Sequence, residues 1–163
     1  LSLAAMLIYI WIRFEWQFSL GAIAALVHDV LITVGIFSFL SFEVNLSIVA
    51  AILTIVGYSM NDTVVIFDRI RENLKKYSKI SIADISNIST NETLSRTLIT
   101  SVTTLLALFS IYIFGGEILS GFSFAMIIGV IVGTYSSIFV ATPILNYTKV
   151  NQKTVLKEDQ EIN

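Results

Sequence analysis

Four long runs of apolar residues leave this chain few ways to fold. They lie at residues 20–42, 46–67, 96–114 and 122–145. The hydrocarbon core of a bilayer is about 30 Å thick, and about 20 apolar residues span it as a helix. A further apolar run at residues 1–12 is about half as long, and we expect it to be the end of a helix. The sequence therefore predicts an all-α polytopic membrane protein with four complete spans and one partial span.

The composition excludes most other classes of protein. Only 13% of the 163 residues are charged and 55% are hydrophobic, whereas a soluble domain is about 25% charged. This is too few polar side chains for a soluble enzyme or a disordered chain, and the lack of cysteine excludes a disulfide-bonded secreted module. The 10 basic residues do not outnumber the 12 acidic ones, so nucleic-acid binding has no support.

The same composition predicts no enzyme, no metal and no cofactor. One histidine without cysteine cannot build a His/Cys metal site, and no glycine-rich phosphate loop is present for ATP. Any work that the protein performs must therefore draw on another energy source, such as an ion gradient.

All ten Lys and Arg residues fall on one side of the predicted spans. They are Arg13, Arg69, Arg71, Lys75, Lys76, Lys79, Arg96, Lys149, Lys153 and Lys157. The opposite connections, residues 41–45 and 115–120, carry only Glu43 and Glu117. Because cytoplasmic loops of membrane proteins are rich in Lys and Arg, the basic side is expected to be cytoplasmic.

This orientation predicts a transmembrane bundle over residues 1–147, followed by a polar cytoplasmic tail at 148–163. The long connection at residues 68–95 is a cytoplasmic elbow, whose first part, 68–76, is predicted to continue the preceding helix into water. The Ser-Thr-Asn-Glu sequence at residues 89–92 fits a capping box and predicts the start of the next helix. The elbow is either a solvated connection or a docking surface for a cytosolic partner.

Two pairs of polar residues lie inside predicted spans, where ionisable groups are costly and need a reason. His28 and Asp29 lie about 12 Å from the cytoplasmic start of their span. Asn61 and Asp62 lie about 9 Å before the cytoplasmic end of the next one. Since the two helices run in opposite directions, both pairs are expected at a similar depth and can form one polar patch. Arg96, at the entrance of the following span, has a side chain long enough to reach inward.

Small and hydroxyl-bearing residues accompany these groups at helical spacing. One stripe consists of Thr54, Gly57, Tyr58, Asn61 and Asp62, and the other of Arg96, Thr100, Thr103, Thr104, Ala107 and Ser110. We expect both stripes to face the interior, with Ile55, Met60 and Val64 directed toward lipid or other helices. An acid, a base and facing hydroxyls favour a proton path. Its central residues are predicted to be Asp62 and Arg96, with weaker contributions from Asn61, His28, Asp29 and Thr100.

A structural interpretation stays open for each of these residues. Asp62 and Arg96 can form a static ion pair between two helices, and His28 with Asp29 can be a hydrogen-bonded pair that orients one helix. The hydroxyl stripes can serve packing alone.

Glycines and a proline predict local features of the last span. The GxxxG motif of Gly129 and Gly133 is predicted to permit close helix packing. The outer turn is expected at Gly115, Gly116 and Gly121, and Pro143 is expected to end or kink the helix.

Five motifs in this sequence resemble, in the same order, the SecF family of protein-export membrane proteins, part of the SecD/SecF family in the RND-type transporter superfamily. They are GYSMNDTVVIFDRIREN at residues 57–73, RFEW at 13–16, VHDVLIT at 27–33, NETLSRTL at 91–98 and GTYSSIF at 133–139. The resemblance covers residues 1–147. It implies an RND-type transmembrane helix bundle with no enzymatic activity, in the bacterial inner membrane.

The resemblance also implies which part of such a protein this is and which residues matter. Each half of the family's proteins has six transmembrane helices and a large periplasmic domain between the first two. This sequence is expected to hold helices two to six, with the first of these cut short, and no periplasmic domain. In the family, an Asp in an Asn-Asp-Thr motif and an Arg at the start of the next span are implicated in proton passage. The matching positions are Asp62 and Arg96.

The function implied is assistance to Sec-dependent protein translocation, driven by the proton gradient without a cofactor. The partners implied are SecD, the SecYEG channel with YajC and YidC as further candidates, a preprotein substrate and the lipid bilayer. Two alternatives are a structural subunit that only scaffolds SecD and the channel, and half of an RND-type exporter of small molecules or lipids.

Overall fold

The computed structural model describes residue 8 and residues 14–41, 45–77, 80–148 and 150, and within these ranges the only regular structure is helical. The long helices are α1 (Trp16–Phe39), α2 (Leu46–Lys76), α3 (Ile82–Phe114) and α4 (Gly116–Ser136). A π-helical turn (Ser137–Ala141) and a short helix, α5 (Thr142–Tyr147), continue α4. Short connections make successive helices antiparallel. The start of α1, the end of α2 and the start of α3 therefore share one end, called here the basic end.

The four long helical stretches have the length and the apolar character needed to cross a membrane. They are α1, α2, α3 and the continuous stretch Gly116–Tyr147. The expected all-α membrane-protein fold is thus confirmed. The apolar run at 1–12 lies outside the described residues apart from Ile8, and the tail at 148–163 does so apart from Thr148 and Val150.

The elbow is more helical than predicted, and the helix start expected at residues 89–92 is wrong. α3 begins at Ile82, and Ser81 is its N-cap: the Ser81 Oγ accepts a hydrogen bond from the Asp84 N–H at 3.2 Å. A cap one residue before the helix satisfies a backbone donor that would otherwise be free. The 89–92 segment lies within α3, where Ser89 and Glu92 contact Asn73 of α2 instead of capping a helix.

The outer turn before α4 is also shorter than predicted. Gly115 alone separates α3 from α4, and Gly116 has a φ of +73°, a left-handed conformation that glycine adopts without strain. The last long helix therefore begins at Gly116 and not at residue 122. Gly121 lies inside α4 and not in the turn, which corrects the expectation for that residue. α1 likewise begins at Trp16 and ends at Phe39, against the predicted run of 20–42.

The centre of the bundle is the contact between α2 and α4. A Cβ atom added at Gly129 would overlap the side chain of Ile55, and one added at Gly133 would lie 3.1 Å from the Ser59 Cβ. Ile55 is 1% exposed, and Val130 of α4 is fully buried beside it. The two glycines thus let the two backbones approach, as small residues do between membrane helices.

Aromatic rings and a half-buried ion pair fill the basic end. The Phe67 ring lies 5.3 Å from that of Phe18 and 6.1 Å from that of Phe14, in edge-to-face arrangements. The Arg71 guanidinium lies 3.4 Å from the carboxylate of Glu15 and 5.7 Å from the centre of the Phe14 ring. These contacts join the start of α1 to the extension of α2.

A network of charged and amide groups joins that extension to α3. Arg69 contacts Glu72 at 2.5 Å and Glu92 at 2.6 Å. The Asn73 amide donates to Glu92 at 2.8 Å and to the Ser89 hydroxyl at 2.9 Å. The hydrogen bonds from Arg69 and Asn73 lower the pKa of Glu92, since they favour its charged form.

Gly129→Ala tests the contact between α2 and α4. We expect it to lower the free energy of unfolding by about 1–3 kcal/mol, because the added methyl must displace Ile55, a β-branched side chain with few alternative rotamers. Gly121→Ala on the same helix is the matched control, since its Cβ would meet nothing within 4 Å, and we expect a change within about 0.5 kcal/mol. Thermal unfolding in detergent measures both. Equal stability of the two variants would contradict the proposed packing.

The Glu92 network predicts a pH dependence of stability. Because its pKa is lower in the folded than in the unfolded protein, Glu92 contributes stability that is fully present above its ordinary value of 4.5. That contribution is lost as the pH falls through the lower folded value. We expect the melting temperature of the wild type to drop over this acid range, and Glu92→Gln to reduce the drop and to melt slightly earlier at neutral pH. If the melting temperature of Glu92→Gln depended on pH as that of the wild type does, the Glu92 network would contribute nothing measurable to stability.

Candidate functional site

Two carboxylates lie buried in the apolar part of the bundle. Asp29 of α1 is 0% exposed and Asp62 of α2 is 3% exposed. A buried carboxylate is costly in hydrocarbon unless donors or a counter-charge compensate for the lost hydration. Asp29 and Asp62 differ in the number of donors and counter-charges around them, so the two groups are suited to different chemistry.

Asp62 has few compensating contacts. Its Oδ2 atom is buried and accepts no hydrogen bond within the described part of the chain. Arg96 of α3 attracts it electrostatically, but the two form no ion pair within 4.0 Å among the described residues, and Arg96 is exposed. The static ion pair is therefore absent from this structure. Asp62 is thus a buried acid that feels the charge of Arg96 without contacting it, and either a proton or the guanidinium can neutralise its carboxylate.

The weaker candidates beside Asp62 and Arg96 do not join them directly. Asn61 is exposed, one position further around α2 from the buried Asp62. Thr100 is half-buried, and its hydroxyl donates to backbone carbonyls of its own helix, at 3.0 Å to Arg96 and 2.9 Å to Thr97. Neither side chain bridges the acid and the base.

The predicted inward-facing stripes are rotated relative to the observed ones. On α2, Thr54 is exposed and Ile55 and Met60 are buried, the reverse of the expectation. The reason is the close contact with α4, which requires the side of α2 that carries Ile55. On α3, the exposed members of the predicted stripe are Arg96, Thr103, Ala107 and Ser110, and the half-buried ones are Thr100 and Thr104.

The buried polar side of α3 is a different row of hydroxyls, which the sequence analysis missed. Thr93, Thr97 and Ser101 are 9%, 2% and 6% exposed, at spacings of four residues. The Ser101 hydroxyl hydrogen-bonds that of Thr134 on α4 at 2.7 Å. Hydroxyls occur on several sides of α3, so spacing alone could not identify the buried side.

Asp29 is surrounded by hydrogen-bond donors from three helices. The hydroxyls of Ser59 on α2 and Ser136 on α4 both donate to its Oδ2, the latter at 2.8 Å. The Nδ1 of His28, whose side chain is 29% exposed, lies 3.0 Å from Oδ1. Sequence reasoning paired His28 with Asp29 but missed Ser59, because nothing in the sequence shows which helices face each other.

The two residue pairs predicted to form one polar patch are not joined directly by a hydrogen bond. Asp29 and Asp62 share no hydrogen bond, and Ser59, which binds Asp29, precedes Asp62 by one helical turn on α2. Among the described residues, no group of three or more His, Asp or Glu side chains could hold a metal ion.

Comparisons with known proteins agree with this architecture. The family described as protein export membrane protein SecD/SecF, C-terminal, matches residues 1–151. Protein translocase subunit SecF of Cereibacter sphaeroides is 54% identical over 91% of this chain and 46% of its own length. That of Rickettsia bellii is 58% identical over 88% of this chain and 48% of its own length. The chain thus spans about half the length of these relatives.

Two solved structures share the helical arrangement. SecDF from Thermus thermophilus, described as a translocon-associated membrane protein, matches with a TM-score of 0.87 and 45% identity over 90% of this chain and 20% of its own. SecDF in a super-membrane-facing form matches with a TM-score of 0.85 and 42% identity over 98% of this chain and 21% of its own. The present chain therefore belongs to the SecD/SecF C-terminal family of protein-export membrane proteins.

Proposed function

We propose that the protein containing this chain is a SecF-type subunit that assists Sec-dependent protein translocation across the bacterial inner membrane and draws on the proton gradient. The observation that carries the proposal is the buried, unpartnered carboxyl of Asp62, with Arg96 on the neighbouring helix. Membership of a protein-export family supports the translocation role, and the site supports the energy source.

Asp62 and Arg96 have the chemistry that proton coupling requires. Within the described residues, Asp62 has neither a donor at Oδ2 nor an ion-pair partner, so binding a proton spares it the cost of a buried charge. A guanidinium that moves next to the carboxylate compensates for the same charge without a proton. Alternation between these two arrangements would load and release one proton per cycle. Asn61 and Thr100 flank the two residues and would hold water on the path.

The exposed side of α3 supports a membrane partner. α3 is the least buried of the four long helices, and Arg96, Thr103 and Ser110 are exposed on it. Polar side chains within a membrane face other helices or water-filled cavities more often than lipid. We propose SecD as the neighbour on this side, because the related solved proteins are SecDF proteins. The SecYEG channel and an emerging preprotein are the proposed further partners, with the basic end in the cytoplasm.

Asp62→Asn in the full-length protein tests the proton role. The amide keeps the size of the carboxyl but cannot exchange a proton, so we expect complete loss of the gradient-dependent part of preprotein export into inverted membrane vesicles. Export without a gradient should be unchanged. Asp84→Asn, at an exposed aspartate near the start of α3, is the matched control and should behave as wild type.

Two results would contradict the proton role. One is gradient-dependent export that persists in Asp62→Asn. The other is a loss of export that merely follows reduced co-purification with SecD, which would support the structural scaffold instead.

Arg96 variants separate the need for a charge from the need for a particular shape. We expect Arg96→Ala to lose the gradient-dependent export, since no cation then stabilises the ionised Asp62. Arg96→Lys keeps the positive charge but replaces the planar guanidinium with a compact ammonium group. It should therefore retain part of the gradient-dependent export. Measurement of the proton flux in the same vesicles checks the order wild type, then Lys, then Ala. Wild-type activity of the Ala variant would show that the positive charge has no role.

A further inference from the structure

We propose that Asp29 is a positioning residue that holds Asp62 in place through Ser59. Asp29, Ser59 and Ser136 together are called here the Asp29 clamp. The inference deepens the proposed function and rests on it, because it assigns to the clamp an effect on the proton-binding group.

The clamp ties three helices together at one point. The Ser59 and Ser136 hydroxyls both donate to the Oδ2 of Asp29, and all three residues are at most 2% exposed. Asp29 lies on α1, Ser59 on α2 and Ser136 on α4. A carboxylate with several donors in a low-dielectric interior makes strong hydrogen bonds, so rotation of any one helix breaks a contact with the others.

The packing around the clamp leaves little room for adjustment. Gly133 lies one turn before Ser136, and a Cβ at Gly133 would be 3.1 Å from the Ser59 Cβ. The Ser136 hydroxyl also lies 3.2 Å from the Gly133 carbonyl of its own helix. The backbone of α4 thus abuts Ser59 where the hydroxyls meet Asp29, and the contact fixes both the distance between α2 and α4 and their rotation.

The clamp is one helical turn from Asp62. Ser59 and Asp62 are three residues apart, about 4.5 Å along the axis of α2, and both are buried. The Thr63 hydroxyl, next to Asp62 in the chain, donates to the Ser59 carbonyl at 3.2 Å. A rotation of α2 that follows loss of the Ser59 bond would therefore carry Asp62 with it, and change its separation from Arg96.

The charged groups of the surrounding helices lie mostly near their ends. α1 contributes His28 and Asp29. α3 contributes Arg96, with Asp84 and Glu92 nearer its start. α4 has Glu117 as its only charged residue, near the outer turn, and α2 itself carries Tyr58 one turn before Asp62. Arg96 attracts Asp62 electrostatically. A displacement of α2 thus alters the protonation of Asp62 mainly through its separation from Arg96 and through its burial.

Ser59→Ala is the sharpest test, because it removes one donor and leaves Asp29 with Ser136 and His28. Dicyclohexylcarbodiimide reacts with protonated carboxyls in membranes, so the pH dependence of its attachment to Asp62, followed by peptide mass spectrometry, reports protonation without an export assay. In the full-length protein in native membranes, we expect Ser59→Ala to shift the pH of half-maximal Asp62 labelling by about half a unit or more. Ser136→Ala should shift it in the same direction.

Ser123→Ala is the matched control. Ser123 is a fully buried serine on α4, and its hydroxyl donates at 2.7 Å to the Leu119 carbonyl of its own helix. This variant deletes the same hydroxyl as Ser59→Ala, on the same helix as Ser136, without breaking a contact between helices, so its labelling profile should match that of the wild type. If Ser59→Ala does not accumulate in membranes, Ser136→Ala carries the same test.

The outcomes separate the clamp from the proposed function. Unshifted Asp62 labelling in Ser59→Ala and Ser136→Ala, with a lowered melting temperature, would overturn the inference and leave Asp29 a purely stabilising residue. A shifted labelling profile in Ser59→Ala would support the clamp even if Asp62→Asn retained gradient-driven export. In that case the proton role would fail while the positioning of Asp62 stood.

Discussion

The close approach of α2 and α4 is the contact on which the other features of this bundle depend. Lipid tails are as apolar as leucine, so membrane helices gain little from burying apolar surface and associate through tight packing and hydrogen bonds instead. Gly129 and Gly133 provide that closeness, since either with a side chain would press on Ile55 or Ser59. Because the approach fixes which side of α2 is buried, it also determines that Ser59 meets Asp29 and that Asp62 points inward.

The two buried aspartates show how differently one bundle can treat the same functional group. Asp29 hydrogen-bonds with His28, Ser59 and Ser136. Such surroundings suit a residue that permanently holds helices together. Asp62 has an orphaned oxygen and no ion pair within the described residues, as a group that changes its charge would. A group that gains and loses a proton must have similar free energies in its protonated and ionised forms. Its environment therefore cannot stabilise only one of the two forms.

The parts of this structure that follow from hydropathy could be predicted from the sequence, whereas the starts of α3 and α4 and the rotation of the helices could not. Apolar runs and the placement of Lys and Arg identified the helices, and the polar residues in them identified Asp29, Asp62 and Arg96. The side of α2 that is buried depends on Gly129 and Gly133, which lie about 70 residues further along the chain. Thr54 and Ile55 both fit an amphipathic pattern, so only the contact with α4 decides between them. Ser81 and the 89–92 segment both carry residues suited to cap a helix, so the sequence did not decide between them. The structure shows that Ser81 is the cap.

The exposed polar side of α3 extends this argument beyond the described chain. Arg96, Thr103 and Ser110 are exposed on this side, and the hydroxyls of Thr103 and Ser110 donate to carbonyls of their own helix. Self-satisfied hydroxyls tolerate either lipid or another helix, whereas the Arg96 guanidinium does not tolerate lipid alone. The membrane partner proposed above for this side of α3 would complete the surroundings of Arg96. Since Asp62 and Arg96 interact electrostatically, the approach of that neighbour would set how far the guanidinium can reach toward the acid. Asp62 would then depend both on the helix contacts that Asp29 holds and on the position of Arg96.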